Sequence, residues 1–205
     1  MSAGGRDPGW AGPKRGAEPV RAFIAVNLGE PCRAEIAAAI APLFCAGLPV
    51  RWVDPSAYHV TLKFLGQVPE MDVERVSDAL STVARAHAPL AVRLTGAGAF
   101  PDVRRPAVFW LGVAPDARLT ALQQAVEDVI APLGYPTERR PFHPHVTLGR
   151  TRRDARPGAL RAAESLLRDV AYDATIDIDT VDLMQSLSSP QGARYERVLA
   201  AALVA

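Results

Sequence analysis

Residues 58–66 read YHVTLKFLG and residues 145–150 read HVTLGR, so the string HVTL occurs twice in the chain. In the first copy Tyr58, Val60, Leu62 and Phe64 alternate with His59, Thr61 and Lys63. That is the period-two pattern of a strand with one apolar and one polar face. In the second copy His145 and Thr147 share one side while Val146 and Leu148 share the other. Each copy therefore presents an imidazole beside a hydroxyl on a rigid element, with aliphatic residues anchoring it from behind. The two copies use half of the four histidines in the chain, which makes chance repetition a poor account.

The flanking sequence places these strands in a mixed fold. RAFIAVNL (21–28) is an apolar run that suits a buried strand. Pro31 opens a helical pattern through about Ala46, with Gly47 as its stop. VRWVD (50–54), AVRLTGAGAF (91–100) and PAVFWLGV (106–113) read as strands, and Pro69–His87 and Ala117–Leu133 as amphipathic helices. A further helix is expected near Pro157–Arg168, then strands around 174–187 and 194–204 joined by a hairpin turn at Ser188–Gly192. The theme of strand, helix and strands appears twice, which argues for an α+β protein of two similar halves. Residues 1–20 are rich in Gly, Pro and Ala and are expected to form a disordered tail, leaving 21–205 as the folded domain.

At 205 residues, 49% of them hydrophobic and 22% charged, the chain has ordinary globular composition and enough length for a real core. The net charge of +1 gives no global attraction to nucleic acid or membrane. A nucleic-acid ligand must then be short, or be gripped by a local basic patch. Lys14 and Lys63 are the only lysines, so nearly all the positive charge is arginine. Cys32 and Cys45 have no second pair to complete a metal site and are expected as free thiols. Neither a leader nor an apolar run of membrane-spanning length is visible, so a cytoplasmic protein with no membrane association and no obligate protein partner is expected.

Two imidazoles facing one substrate suit phosphodiester cleavage. A neutral histidine takes the proton of the attacking oxygen and a protonated one delivers a proton to the leaving oxygen. Imidazole is the side chain whose unperturbed pKa allows both forms near neutrality. The hydroxyls of Thr61 and Thr147 can donate to non-bridging phosphate oxygens, and Arg150 can complete the cradle with a charge-assisted donor pair. This chemistry requires neither metal nor cofactor, and no carboxylate cluster of metal-site spacing flanks either copy. Lys63 reads as an ordinary exposed lysine, His143 as a flanking residue, and His87 as a partner for the last carbonyls of its helix. A metal site built on His143 and His145 would need a third ligand that the sequence does not indicate.

Together the paired His-x-Thr-Leu segments, RAFIAVNL, VFWLGV, FHPHVTLGR and the closing SLSSPQGARYERV resemble the 2H phosphoesterase superfamily over about residues 21–200. Within it the chain is similar to the bacterial RNA 2′,3′-cyclic phosphodiesterases, the 2′-5′ RNA ligase family. The resemblance implies a bilobal α+β fold: two pseudo-symmetric lobes of antiparallel sheet flanked by helices, with the active-site cleft between them. It implies hydrolysis of a 2′,3′-cyclic phosphate, on RNA ends or nucleotides, to a 2′-phosphomonoester. His145 would be the base that activates water and His59 the acid that protonates the leaving ribose oxygen. Thr61, Thr147 and Arg150 would hold the phosphate, and Phe23 would contact the nucleobase or pack in the core. Related cyclic phosphodiesterases act on ADP-ribose cyclic phosphate or on 2′-5′ linkages, and an RNA-end binding protein without turnover is the non-enzymatic alternative.

Overall fold

The computed structural model describes residues 19–204 except 157, 190 and 191. In chain order the elements are β1 (Val20–Asn27), α1 (Glu30–Ala39), α2 (Ala41–Cys45), β2 (Val50–Trp52), β3 (His59–Val68), α3 (Glu70–Arg85), β4 (Leu90–Phe100) and β5 (Val108–Val113). They continue as α4 (Ala117–Ile130), β6 (His145–Thr151), α5 (Ala163–Arg168), β7 (Asp173–Ile178), β8 (Thr180–Ser189) and β9 (Gly192–Ala202). Residues 1–18, which cover nearly all of the expected tail, lie outside the described residues.

The strands among the described residues form one continuous antiparallel sheet in the order β7-β4-β5-β6-β3-β1-β8-β9, with β2 added against β6. The two HVTL strands, β3 and β6, are therefore the innermost strands of two four-stranded halves. They meet at a single registered pair, Val60 opposite Val146. The expected α+β fold of two similar antiparallel halves is present, and the halves share one sheet rather than carrying separate ones.

One face of the sheet is sealed. Val73, Val76, Leu80 and Val83 of α3 and Leu119, Leu122, Val126 and Ile130 of α4 are buried, and these two helices pack on each other and across the strands. Ile24, Val60, Leu62, Val146 and Leu148 of the inner strands face them in a common core. Each such buried aliphatic side chain contributes roughly 1.5–3 kcal/mol relative to exposure. On the opposite face lies a much smaller cluster of Phe23, Ala25 and Met184, with Tyr195 against it. That face carries the histidines.

Several expectations are corrected in detail. The helix expected from Pro31 to Ala46 breaks at Ile40, where α2 restarts with Pro42 in its first turn. Proline has no amide hydrogen to continue the first ladder. The helix near Pro157–Arg168 is confined to six residues, Ala163–Arg168. The stretch 174–187 is two strands: β7 pairs with β4 at one edge, and β8 crosses to pair with β1 in the other half. β8 and β9 do form a hairpin, registered out to Ser189 opposite Gly192; residues 190 and 191 of its turn lie outside the described residues. No helix among the described residues is long and apolar enough to cross a membrane.

Candidate active site

The pairing of β3 with β6 fixes the geometry of the site. With Val60 opposite Val146, the antiparallel register sets His59 across from Thr147 and Thr61 across from His145, all four on the face away from the helices. The two imidazole–hydroxyl pairs expected from the repeat are thus brought together as a cross-strand square about a local two-fold axis.

Both imidazoles are held in the same way. The Nδ1–H of His59 donates to the carbonyl of Ala57 at 2.7 Å, and the Nδ1–H of His145 donates to the carbonyl of His143 at 2.7 Å. In each case the partner is the carbonyl two residues upstream. A carbonyl only accepts, so Nδ1 carries the hydrogen and the lone pair is left on Nε2. This is the tautomer a proton acceptor needs.

The rings also sit in matching aromatic settings. His59 lies 4.9 Å from the ring of Phe23 and 5.2 Å from that of Tyr195, measured between centroids. His145 lies 5.0 Å from Phe100 and 6.3 Å from His143. Burial against these rings lowers the pKa of His59 to about 4, opposed by its carbonyl hydrogen bond and reinforced by the charges of His145 and Arg33. His145 is lowered for the same first reason, with His143 and Arg150 acting in the same direction. The influence of His145 on His59 shows that the two imidazoles share one electrostatic site. A proton on either ring disfavours one on the other.

A β-bulge follows the threonine in both copies and changes which residues lie on the histidine side of the sheet. In β3, Thr61 pairs with Ala25 and Lys63 with Ile24, leaving Leu62 as the extra residue. In β6, Thr147 pairs with Trp110 and Gly149 with Phe109, leaving Leu148 as the extra residue. The bulge puts two successive residues on the core side, Leu62 with Lys63 and Leu148 with Gly149, and returns the next residue to the histidine side. Arg150 therefore joins His145 and Thr147, as the spacing suggested. Phe64 takes the corresponding place beside Thr61 and is 67% exposed.

Simple alternation had put Phe64 in the core and Lys63 on the surface; the structure reverses both. Lys63 is 3% exposed, and its ammonium donates to Glu127 Oε2 of α4 at 2.5 Å and to the Pro136 carbonyl at 2.8 Å. Gln123 of the same helix donates to the carbonyl of Leu62 at the bulge, at 3.4 Å. Phe23 is 4% exposed, so its ring backs the His59 imidazole and Phe64 is the open aromatic surface on that side. His143 supplies the carbonyl that orients His145 and stacks near Phe100 and Trp110. His87 Nδ1 contacts the Val83 carbonyl at 2.8 Å, a helix-end role as expected. Arg33, Tyr195 and Phe100 were not legible as site residues, because they reach the histidines only through the sheet order and the packing of α1.

No three His, Cys, Asp or Glu side chains converge among the described residues. Two carbonyl-anchored imidazoles, two hydroxyls and an arginine on one face of the sheet are the residue types that the site of a two-histidine phosphoesterase would need. Comparison with known proteins agrees: the 2′-5′ RNA ligase superfamily matches residues 34–190, and the chain belongs to this family of 2H phosphoesterases. It is 32% identical over 155 residues to the RNA 2′,3′-cyclic phosphodiesterase of Aeropyrum pernix, covering 73% of this chain and 84% of that one. It is 31% identical over 176 residues to the protein of the same name from Methanothermobacter thermautotrophicus, covering 86% and 95%. The structure of E. coli LigT complexed with 3′-AMP superposes with a TM-score of 0.70 at 25% identity, covering 92% of this chain and all of that one.

Proposed function

We propose that this protein hydrolyses 2′,3′-cyclic phosphates on RNA 3′ ends and nucleotides to 2′-phosphomonoesters, with His59 and His145 as its acid–base pair. The observation that carries this reading is the matched anchoring of the two imidazoles, each through Nδ1 to the carbonyl two residues upstream. The names of the relatives and the adenosine monophosphate bound to LigT support the substrate class.

In this mechanism His145 Nε2 accepts a proton from water as its oxygen attacks phosphorus. The P–O3′ bond breaks, and His59 delivers a proton to O3′. Thr61 and Thr147 donate to the non-bridging oxygens, and the guanidinium of Arg150 balances the charge that builds on them. Burial favours the neutral form of both rings in the free protein, so the base is ready as found. The acid takes up its proton together with the substrate, whose negative charge between the rings raises both pKa values. Phe64 offers its exposed face for a nucleobase to stack on.

The test is hydrolysis of 2′,3′-cyclic AMP in EDTA with chromatographic identification of the product. The expected product is 2′-AMP. Accumulation of 3′-AMP would overturn the choice of leaving oxygen. Faster turnover of ADP-ribose cyclic phosphate or of a 2′-5′ linkage would move the substrate to that class.

A further inference from the structure

Beyond Arg150 the end of β6 runs into a concentration of positive charge that the reaction does not use. Arg51 of β2 and Arg150 of β6 are directly opposed partners, and like charges so placed are destabilising unless an anion lies between them. One residue further on, Thr151 borders an open depression of about 410 Å³. Its walls carry Arg104 and Arg105 from the β4–β5 connection and Arg152, Arg156 and Arg161 from the segment after β6, with no acidic residue among them.

Two of these arginines have acidic neighbours outside the depression. Arg152 is held by Asp154 through two contacts of 3.1 Å, and Arg105 lies 3.9 Å from Asp102. The same Asp102 carboxylate accepts from the backbone amide of Arg104 at 2.9 Å, but among the described residues no carboxylate forms an ion pair with the guanidinium of Arg104, Arg156 or Arg161. The chain as a whole has a net charge of +1, so this is a local feature rather than a reflection of composition. Planar guanidinium forks are the side chains best shaped to hold a phosphodiester.

The position fits a particular ligand. An RNA that ends in a 2′,3′-cyclic phosphate has all its remaining nucleotides on the 5′ side, so its chain leaves the site by one route. At about 3.3 Å per residue, Thr151 lies roughly 20 Å along β6 from His145, well past the reacting nucleotide. We infer that the arginine-lined depression is a second phosphate subsite, which grips the backbone of single-stranded RNA several nucleotides 5′ of the cyclic phosphate. This rests on the cyclic-phosphodiesterase reading and adds to it a preference for oligomers over mononucleotides.

The experiment compares wild type with the triple variant Arg104→Gln, Arg156→Gln, Arg161→Gln on two substrates. One is 2′,3′-cyclic AMP; the other is an oligoribonucleotide of about eight nucleotides, within the usual single-strand site size, ending in a cyclic phosphate. KM for the oligomer should rise about tenfold or more with kcat little changed, and the logarithmic salt dependence of oligomer binding should flatten by about one for each phosphate contact removed. Kinetics on cyclic AMP should not move. An unchanged oligomer KM, or an equal loss on both substrates, would overturn the subsite.

A parallel anisotropy titration uses the same oligomer with a 3′-hydroxyl end, so the two claims fail separately. Wild type that turns over neither substrate defeats the cyclic-phosphodiesterase reading alone. Equal affinity of wild type and variant in the titration defeats the subsite alone. The variant in which the same three arginines become lysine should keep most of the binding, which separates loss of charge from loss of fold.

Discussion

The two halves of the sheet use one local design and finish it differently. Through His-Val-Thr-Leu they match residue for residue in side, burial and bulge. They part at the next two positions. After Leu62 comes Lys63, buried against Glu127, and then the exposed Phe64. After Leu148 comes Gly149, where a Cβ would fall 2.6 Å from Val50 Cγ1 and 2.7 Å from Trp52 Cε3, and then Arg150. In the second half β2 pairs beside the bulge and its Val50 and Trp52 side chains leave no room for one at Gly149, whereas in the first half α4 clamps the bulge with Gln123 and Glu127. The lesson is one of division. The bulges repeat symmetrically, while the residues just after them put an apolar ring on one side and an arginine on the other.

The clamp is the costliest difference to break. Lys63→Met leaves Glu127 buried without its partner and should lower unfolding free energy by about 3–5 kcal/mol, whereas adding Glu127→Leu should restore much of it. Chemical denaturation of the three proteins checks this, and a double variant no more stable than Lys63→Met would deny the clamp.

Acidification comes next. His59 titrates near 4 in the folded protein against 6.5 for the free side chain. The unfolded chain therefore binds the extra proton between those values, and stability present above pH 6.5 is lost as pH falls toward 4. The size is on the order of 3 kcal/mol, with His145 adding in the same direction. Unfolding midpoints measured from pH 7 to pH 4 should show this slope, and His59→Gln should flatten it.

The charged and apolar finishes then separate in kinetics. Arg150→Gln should reduce kcat about a hundredfold, as removal of a donor to developing oxyanion charge does. Phe64→Ala should instead raise KM by about three- to tenfold with kcat nearly intact, the loss of one stacking surface. Steady-state kinetics on 2′,3′-cyclic AMP distinguish the two patterns. A kcat effect at Phe64 matching that at Arg150 would erase the proposed difference between the halves.

Much of this was legible in the chain. The repeat and its alternation located both histidines and both threonines on strands and put them on one side, and Arg150 lies on the same strand as the second pair. The bulges were not legible, because Leu62 and Lys63 read as ordinary alternation until the pairing partners in β1 are known. That one register shift carries both the misplaced Lys63 and the misplaced Phe64. Sheet order was equally hidden: β7 and β8 are contiguous in sequence but belong to opposite halves. Tyr195 reaches His59 only because β9 pairs with β8 and β8 with β1. Long-range pairing places such residues, and local pattern carries no record of it.

The central claim is that His59 and His145 act as a single acid–base pair. Its most direct test is single-turnover cleavage of a cyclic-phosphate oligoribonucleotide in EDTA by wild type, His59→Ala, His145→Ala and the double variant. Each single variant should lose about a thousandfold or more, and the double variant little beyond that, because groups acting as a unit are not additive. Substantial activity in either single variant, or losses that multiply in the double variant, would contradict the account.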